Sequence, residues 1–283
     1  MAGALRRLLA LPATRGLDLD DPRLTARRRE VIQGKPFLRA LYLEFYQEFL
    51  AARGRAPAGP CLEVGSGAGF LKELLPEVIT SDVFLVPGLD LVLDAQRMPF
   101  ADHSLACLFL LDVLHHIPAP LRFLQEAARC LLPGGRVVMI EPAHTAFSRL
   151  IYTRLHHEPF APQAGWELTA GGPLSGSNQA LPWILFCRDR EQVLAQTPGL
   201  DLARLRLHTP LAYLLSGGVS LRSLLPGWAF RPLRGLERAL NPLNRWLAMF
   251  MTIELRAGGE PASPATAFCY GVEATSATEE NGD

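Results

Sequence analysis

A glycine-rich turn follows a short apolar run near residue 65. The residues Leu62-Glu63-Val64 precede the sequence Gly65-Ser66-Gly67-Ala68-Gly69. Glycine lets the backbone turn tightly and approach a ligand, and the N-terminus of a following helix offers unpaired N–H groups to an anion. The segment therefore predicts a strand, a turn and a helix start that could hold a carboxylate or a phosphate. An ordinary strand-to-helix turn without a ligand would have the same pattern.

Histidines follow two of the predicted strands. His115 and His116 come after the fourth strand, and His156-His157-Glu158 lies beyond the fifth. Neutral imidazole, with an ordinary pKa of about 6.5, can take up a proton near pH 7. We therefore predict His115, His116 and His157 as candidate catalytic residues, with helix capping or packing as the alternative. The spacing around Glu158 matches no helical metal-ligand pattern, so no metal site is predicted.

Alternating apolar runs define the elements that must position these residues. Strands are predicted over 61–64, 77–80, 89–93, 105–111 and 136–140, with two later strands over 202–209 and 248–256. A helix over 118–132 is expected to end at Pro133-Gly134-Gly135. The order predicts an α/β fold of the Rossmann-like, doubly wound type, with a mostly parallel seven-stranded sheet.

The glycine turn resembles the first motif of the class I S-adenosylmethionine-dependent methyltransferases, an acidic residue, one apolar residue and Gly-x-Gly-x-Gly. Glu63, Gly65, Gly67 and Gly69 match it position for position. A dinucleotide-binding protein would instead have Gly-x-Gly-x-x-Gly. The resemblance covers about residues 60–142.

Three further segments extend the resemblance. They are Asp94-Ala95-Gln96-Arg97-Met98, Asp112-Val113-Leu114-His115-His116 and Leu131-Leu132-Pro133-Gly134-Gly135-Arg136. Gly34-Lys35-Pro36-Phe37, Trp183 and Ser216-Gly217-Gly218 are also similar to a bacterial subgroup with a long C-terminal insertion. Between Asp82 and Leu89, a short turn replaces the usual helix.

The resemblance implies S-adenosylmethionine as the cofactor. Asp82 ends the second predicted strand, where a carboxylate can accept both ribose hydroxyls, although a solvated loop aspartate is the alternative. The resemblance gives Asp94 a contact with the adenine amino group and gives Met98 a place covering the ring. The predicted cofactor-binding residues are Glu63, Gly65, Ser66, Gly67, Gly69, Asp82, Asp94, Ala95, Met98 and Asp112.

The chain divides into three predicted regions. Residues 1–56 form an N-terminal helical extension with a helix over 22–53, residues 57–257 form the methyltransferase domain, and residues 258–283 form a disordered tail. Within the domain, 143–184 is a lid-like stretch, with an ordinary surface loop as the alternative. A helical insertion over 211–247 precedes the last strand, and Pro242 should divide it into two helices.

The insertion is basic and amphipathic. Five arginines face one acid over residues 211–250, where leucines recur at helical spacing: Arg222, Arg231, Arg234, Arg238 and Arg245 against Glu237. Such a segment can lie on an anionic membrane or receive an amphipathic acceptor. A helix pair packed on the domain, or a homodimer contact, is the alternative.

Composition narrows the remaining functions. Lys plus Arg and Asp plus Glu both number 28, which argues against a general nucleic-acid binder. The odd number of cysteines, five, and their scattered positions indicate a cytoplasmic protein. The basic amphipathic insertion adds the expectation of a peripheral contact with the inner face of the membrane. We expect methyl transfer to an unidentified small-molecule, lipid or glycan acceptor. The alternatives are a cofactor-binding module without catalysis and a nicotinamide-dependent oxidoreductase.

Overall fold

A seven-stranded mixed sheet forms the centre of the molecule in the computed structural model, which describes residues 11, 18–156, 158–168 and 171–258. The strand order is β3-β2-β1-β4-β5-β7-β6. Among these strands, β7 alone runs in the opposite direction to the other six. The strands are β1 (Cys61–Val64), β2 (Ile79–Asp82), β3 (Leu91–Val92), β4 (Leu105–Leu111), β5 (Leu131–Pro142), β6 (Leu200–His208) and β7 (Phe250–Ala257). The predicted fold class is confirmed, with shifts at several strand ends.

Helices cover both faces of this sheet. They are α1 (Pro22–Gly34), α2 (Pro36–Arg53), α3 (Pro120–Cys130), α4 (Ala146–Leu155), α5 (Leu181–Trp183), α6 (Arg190–Gln196), α7 (Ala212–Ser216), α8 (Phe230–Ala239) and α9 (Asn244–Leu247). Single-turn 3-10 helices span Leu71–Glu73, Leu114–His116, Gly227–Ala229 and Asn241–Leu243, and a π-helical turn spans Ile184–Arg188. Among the described residues, no helix is both long and apolar enough to cross a bilayer.

Two hydrophobic cores lie on opposite faces of the sheet. Successive residues of β5 point to opposite faces, so Val137 belongs to one core and Val138 to the other. Helices α3 and α6 pack on the first face, whereas α1, α2, α4 and α8 pack on the second. The carboxyl ends of the parallel strands β1, β2 and β4 therefore meet at one edge, which both layers of helices flank.

Prolines explain two errors in the predicted helices. The single helix predicted over 22–53 is wrong, because the chain is extended at Lys35 (φ −112°, ψ 94°) and Pro36 starts a new helix. The prediction that Pro133-Gly134-Gly135 ends a helix is also wrong. Leu131 already pairs with Leu105, and the proline and glycines lie where the register between β4 and β5 shifts. A bulge tolerates both residue types.

The helix predicted after the glycine turn is absent. Only the 3-10 turn Leu71–Glu73 follows before Pro76 interrupts the chain. Helix α2 covers this face instead, and its Phe49 ring stacks on Phe109 of β4 with centroids 4.9 Å apart. Residues 83–90 contain no helix, as predicted.

The lid-like stretch and the helical insertion, which both follow β5, contain different amounts of helix. Helix α4 occupies 146–155, so only the central part of the lid-like stretch 143–184 is irregular. Helices α7, α8 and α9 lie between β6 and β7, and the 3-10 turn containing Pro242 separates α8 from α9. Of the predicted disordered tail, residues 259–283 lie outside the described part of the chain.

Candidate functional site

A cavity of about 530 Å³ opens at the carboxyl edge of the sheet. Every predicted cofactor-binding residue except Met98 lines it. These residues are Glu63, Gly65, Ser66, Gly67, Gly69, Asp82, Asp94, Ala95 and Asp112. The ends of β1, β2 and β4 thus bring together residues that are distant in the sequence.

The glycine turn is packed tightly against its neighbours. Gly65 and Gly67 have positive φ angles of 67° and 31°. A Cβ atom at Gly65 would lie 2.6 Å from Val113 Cγ2, and one at Gly67 would lie 3.1 Å from Asp82 Oδ2. The turn therefore requires glycine for both conformation and close approach.

The N-terminal helices hold this turn in place. The Arg29 guanidinium of α1 donates hydrogen bonds to the Gly69 carbonyl from Nη2 (3.0 Å) and Nε (3.2 Å). The Tyr46 hydroxyl of α2 accepts a hydrogen bond from the Phe70 N–H at 3.0 Å. The sequence patterns placed Tyr46 in no site, because its helical spacing is equally typical of a core residue.

Glu63 is a buried carboxyl group with an unsatisfied oxygen. The residue is 3% exposed, and Oε2 has no hydrogen-bond partner among the described residues. Burial raises the pKa of Glu63 to about 7. Because an unpaired buried polar atom is costly, the cavity favours a ligand that brings a positively charged donor.

The ends of β2 and β3 supply the other predicted cofactor contacts. Asp82 Oδ1 accepts a hydrogen bond from the Phe84 N–H at 3.0 Å, and burial raises the pKa of Asp82. The exposed Asp94 accepts a hydrogen bond from the Gln96 N–H at 2.9 Å. Met98 does not line the cavity, because it is buried in the core and only 3% exposed.

Asp112 adopts a left-handed backbone conformation at the end of β4. Its φ angle is 62°, and its N–H donates to the Ile140 carbonyl at 2.8 Å. Burial, together with the nearby carboxylates Glu141 and Glu158, raises the pKa of Asp112 to about 7, against the opposing effect of His115. A strained residue of this kind in a cavity wall is typical of a functional position.

The two described histidines among the catalytic candidates differ in environment. His115 is 1% exposed and does not line the cavity. Its Nδ1 lies 2.8 Å from Glu141 Oε2, and its Nε2 lies 3.4 Å from Glu158 Oε2. Burial lowers the pKa of His115, but these two carboxylates outweigh it and hold the pKa well above the ordinary value.

His116 lines the cavity. Its Nδ1 lies 3.2 Å from the Gly176 carbonyl oxygen, and its Nε2 lies 3.9 Å from Glu158 Oε1. Burial lowers the pKa of His116 to about 3, so the ring is neutral at pH 7. The third candidate, His157, lies outside the described residues.

Part of the cavity wall is apolar and aromatic. Its lining comes from α2, α4, the helical insertion and the chain before β7: Tyr42, Ile151, Tyr152, Leu155, Tyr213, Leu214, Val219, Leu221 and Met249. Lys35 supports this wall, because its Nζ donates to the carbonyls of Gly218 (2.6 Å) and Leu221 (2.8 Å). Tyr213, Leu214, Val219 and Leu221 belong to the insertion that the sequence predicts over 211–247, whereas no sequence pattern indicated Met249.

Residues 62–139 match the family model described as "Methyltransferase domain". The matched segment contains the glycine turn, Asp82, Asp94 and Asp112, all of which line the cavity. This part of the chain is a class I S-adenosylmethionine-dependent methyltransferase domain. The chain is accordingly a methyltransferase, and S-adenosylmethionine is its cofactor.

Several solved methyltransferases resemble this methyltransferase. One is geranyl diphosphate C-methyltransferase from Streptomyces coelicolor, solved in complex with Mg²⁺, geranyl diphosphate and S-adenosyl-L-homocysteine. It is 15% identical to this chain, the match covers 88% of this chain and 89% of that chain, and the TM-score is 0.43. A Methanosarcina mazei S-adenosylmethionine-dependent methyltransferase is 15% identical, with coverage of 74% and 98% and a TM-score of 0.44. The corresponding Mesorhizobium loti enzyme is 16% identical, with coverage of 74% and 97% and a TM-score of 0.41. No curated protein matches the sequence significantly.

The chemistry of the cavity can be compared with that of the cofactor. S-adenosylmethionine supplies, when bound, an electrophilic methyl group on a positively charged sulfur. It also carries an ammonium group, which can donate a hydrogen bond to the unpartnered Oε2 of Glu63. The glycine turn leaves room for close approach, and the residues of the cavity thus fit the cofactor.

Proposed function

We propose that this methyltransferase acts on an amphipathic lipid, glycan or small molecule. The observation that carries the proposal is the continuity of the cavity, which joins the cofactor-binding residues to the wall formed by Tyr42, Tyr152 and Tyr213. Such a wall favours an acceptor with an apolar part, because burying apolar surface is favourable by roughly 25 cal/mol per Å². The reacting polar group would then face the other end.

Three polar side chains line the cavity near the end of β4: Asp112, His116 and Glu158. Asp112 precedes Val113, which packs on the glycine turn. We infer that these side chains orient the acceptor and receive its proton. Positioning and exclusion of water then supply much of the rate acceleration.

An exposed basic and apolar patch follows the cavity wall in the sequence. We define the patch by its large apolar residues and its arginines: Leu224 (52% exposed), Trp228 (79%), Leu236 (52%), Leu243 (40%) and Trp246 (44%), with Arg222, Arg231, Arg238 and Arg245. The only acid of residues 211–250, Glu237, is 2% exposed and accepts from the N–H groups of Leu211 and Ala212. The exposed charged side chains of residues 211–250 are therefore all basic.

We propose that the patch contacts an anionic lipid surface. Arg234 does not belong to it, since its guanidinium forms ion pairs with Glu44 at 2.7 Å and with Glu237. In contrast, Arg231 and Arg238 are exposed and form no ion pair with a described residue. An amphipathic acceptor held in the membrane would reach the cavity past residues 213–221, which adjoin the patch.

Transfer of labelled methyl groups tests the acceptor class. The protein is incubated with cell extract and methyl-labelled S-adenosylmethionine, and the products are separated into lipid, glycan, protein and small-molecule fractions. We expect label in an amphipathic lipid or glycan fraction, and its loss in His116→Ala with unchanged cofactor affinity. Label only in protein or in strongly polar small molecules would contradict the proposed acceptor.

Binding to vesicles tests the patch. The double variant Arg231→Glu/Arg238→Glu should lose at least about 2 kcal/mol, or about 30-fold, in affinity for vesicles of phosphatidylserine and phosphatidylcholine, since each basic residue contributes about 1 kcal/mol. The matched control is Arg97→Glu/Arg122→Glu, two exposed arginines outside the patch. If the first variant keeps vesicle binding but changes from dimer to monomer in light scattering, the patch is an interface between copies.

A further inference from the structure

Two neighbouring histidines and a distant glutamate converge at the cavity. His115 and His116 lie on the 3-10 turn after β4, and Glu158 lies beyond α4. One ligand atom of each lies within 4.8 Å of the others. Glu158 spans the pair, with one oxygen 3.4 Å from His115 Nε2 and the other 3.9 Å from His116 Nε2.

The Nδ1 atom of each ring faces an oxygen atom of the protein. His116 Nδ1 faces the Gly176 carbonyl, which can only accept, so in the neutral ring Nδ1 carries the hydrogen and Nε2 the lone pair. His115 Nδ1 faces the buried Glu141 carboxylate at 2.8 Å. A carboxylate or carbonyl behind each imidazole is the arrangement that orients metal-binding histidines.

Carboxyl groups are concentrated around these rings. Asp112, His115 and Glu141 form a second cluster whose ligand atoms lie within 4.8 Å of one another. Three carboxylates, including Glu158, therefore surround His115. The other basic groups nearby are Arg28, which lines the cavity, and His156, whose Nδ1 lies 3.9 Å from Glu158 Oε2. On binding, a divalent cation would release the Nε2 proton of His115 to solvent and take its place in offsetting the buried negative charge.

We propose that His115 Nε2, His116 Nε2 and Glu158 bind a first-row divalent metal ion, with Glu141 orienting His115. Two imidazoles and one carboxylate form the donor set of zinc sites with one open position and of non-haem iron(II) sites. Bonds of about 2.1 Å would place tetrahedral ligand atoms about 3.4 Å apart. The Glu158 oxygens lie 3.4 Å from His115 Nε2 and 3.9 Å from His116 Nε2. The spacing of these residues in the sequence gave no such signal, because the fold joins residues 115 and 116 to residue 158.

The open position of this metal site would face the cavity, since His116 and Glu158 both line it. The ion would there hold an oxygen of the acceptor and lower the pKa of an acceptor hydroxyl. Only this use of the ion rests on the proposed function. Binding of the ion itself does not depend on it.

Metal titration tests the site. The full-length protein is treated with chelator and titrated with Zn²⁺ and Co²⁺, and bound metal is measured by mass spectrometry and by the visible spectrum of Co²⁺. We expect one ion per chain, at least about 100-fold weaker binding in His116→Ala and Glu158→Gln, and about 10- to 100-fold weaker binding in Glu141→Gln. The control His103→Ala changes an exposed histidine outside the cavity and should bind normally.

Two outcomes would overturn the metal site. One is the absence of a bound ion in the folded wild-type protein, and the other is equal binding by the wild type and His116→Ala, with folding of each variant confirmed by circular dichroism. Methyl transfer is measured alongside with and without Zn²⁺. Turnover without any metal binding would reject the metal site alone, whereas metal binding without turnover on any acceptor would reject the proposed function alone.

Discussion

Two carboxyl groups of the cavity titrate near neutral pH because the fold buries them. Glu63 at the end of β1 and Asp112 after β4 both have a pKa raised to about 7, with burial as the largest cause. A cation bound beside either group would stabilise its ionised form. Affinity for a positively charged ligand should therefore depend on pH in the physiological range.

The first prediction concerns the pH dependence at Glu63. Below its pKa of about 7 the carboxyl is protonated in the free protein, so it cannot pair with the positively charged cofactor. Cofactor affinity should therefore be about tenfold lower at pH 6 than at pH 8. Glu63→Gln should bind more weakly at pH 8 and with a flatter profile. Calorimetry from pH 5.5 to 8.5 measures both, and a flat wild-type profile would contradict a contact between Glu63 and the charged cofactor.

The second prediction concerns the ribose contact of Asp82. Asp82→Ala should weaken cofactor binding by roughly 1 to 3 kcal/mol, because hydroxyl donors would lose a charged acceptor. Asp102→Ala is the control, since its side chain is 69% exposed and lies outside the cavity. Equal cofactor affinity in the Asp82 variant and in the control would mean that another residue contacts the ribose.

At the scale of elements, the strands were predictable because they are buried on both faces. The run Leu105–Leu111 is continuously apolar and forms the centre of the sheet as β4. Local motifs at such strand ends therefore located the cofactor end of the cavity. The missing helix after Gly69 was not foreseen, because α2 replaces that helix through tertiary packing. The break at Pro36, in contrast, has a local cause in the proline itself.

Contacts between distant parts of the chain have no local signal in the sequence. Tyr46 and Arg29 reach the glycine turn from helices far upstream, while Tyr213 and Leu221 reach the cavity from far downstream. The pairing of His115 with Glu141 likewise joins residues from different strand ends. Sequence patterns describe neighbours within a few positions, so contacts of this kind appear only in the fold.

The third prediction concerns the glycine turn as an element. Gly67→Ala adds a Cβ that would lie 3.1 Å from Asp82 Oδ2, and we expect cofactor affinity to fall at least about tenfold, or 1.4 kcal/mol. Gly134→Ala is a matched control: it has a φ angle of 79° but no neighbouring atom within 4 Å of the new Cβ. It should lose stability with normal cofactor affinity. Equal affinities in the two variants would show that the turn does not contact the cofactor.

For the whole molecule, the N-terminal helices form part of the core on the second face of the sheet. Phe37, Leu41 and Phe49 are buried in the same core as strand residues Phe109 and Val138. The α2 helix therefore covers the sheet as well as holding the glycine turn. Loss of this contact should affect the stability of the entire domain.

The fourth prediction tests this integration by unfolding in urea. Phe49→Ala removes a fully buried ring stacked on Phe109 and should lower the free energy of unfolding by roughly 3 to 5 kcal/mol in a single cooperative transition. Leu85→Ala, at a side chain that is 80% exposed, is the control and should change little. A small loss, or a separate early transition, would mean that α2 is an independent appendage.

The cavity formed by these layers should bind the cofactor whatever the acceptor proves to be. Isothermal titration calorimetry of the purified protein with S-adenosylmethionine and with its demethylated product tests this claim most directly. The account predicts that both bind at one site per chain and that Asp82→Ala weakens both. Absence of heat at millimolar ligand, from protein whose circular dichroism shows an intact fold, would contradict the account.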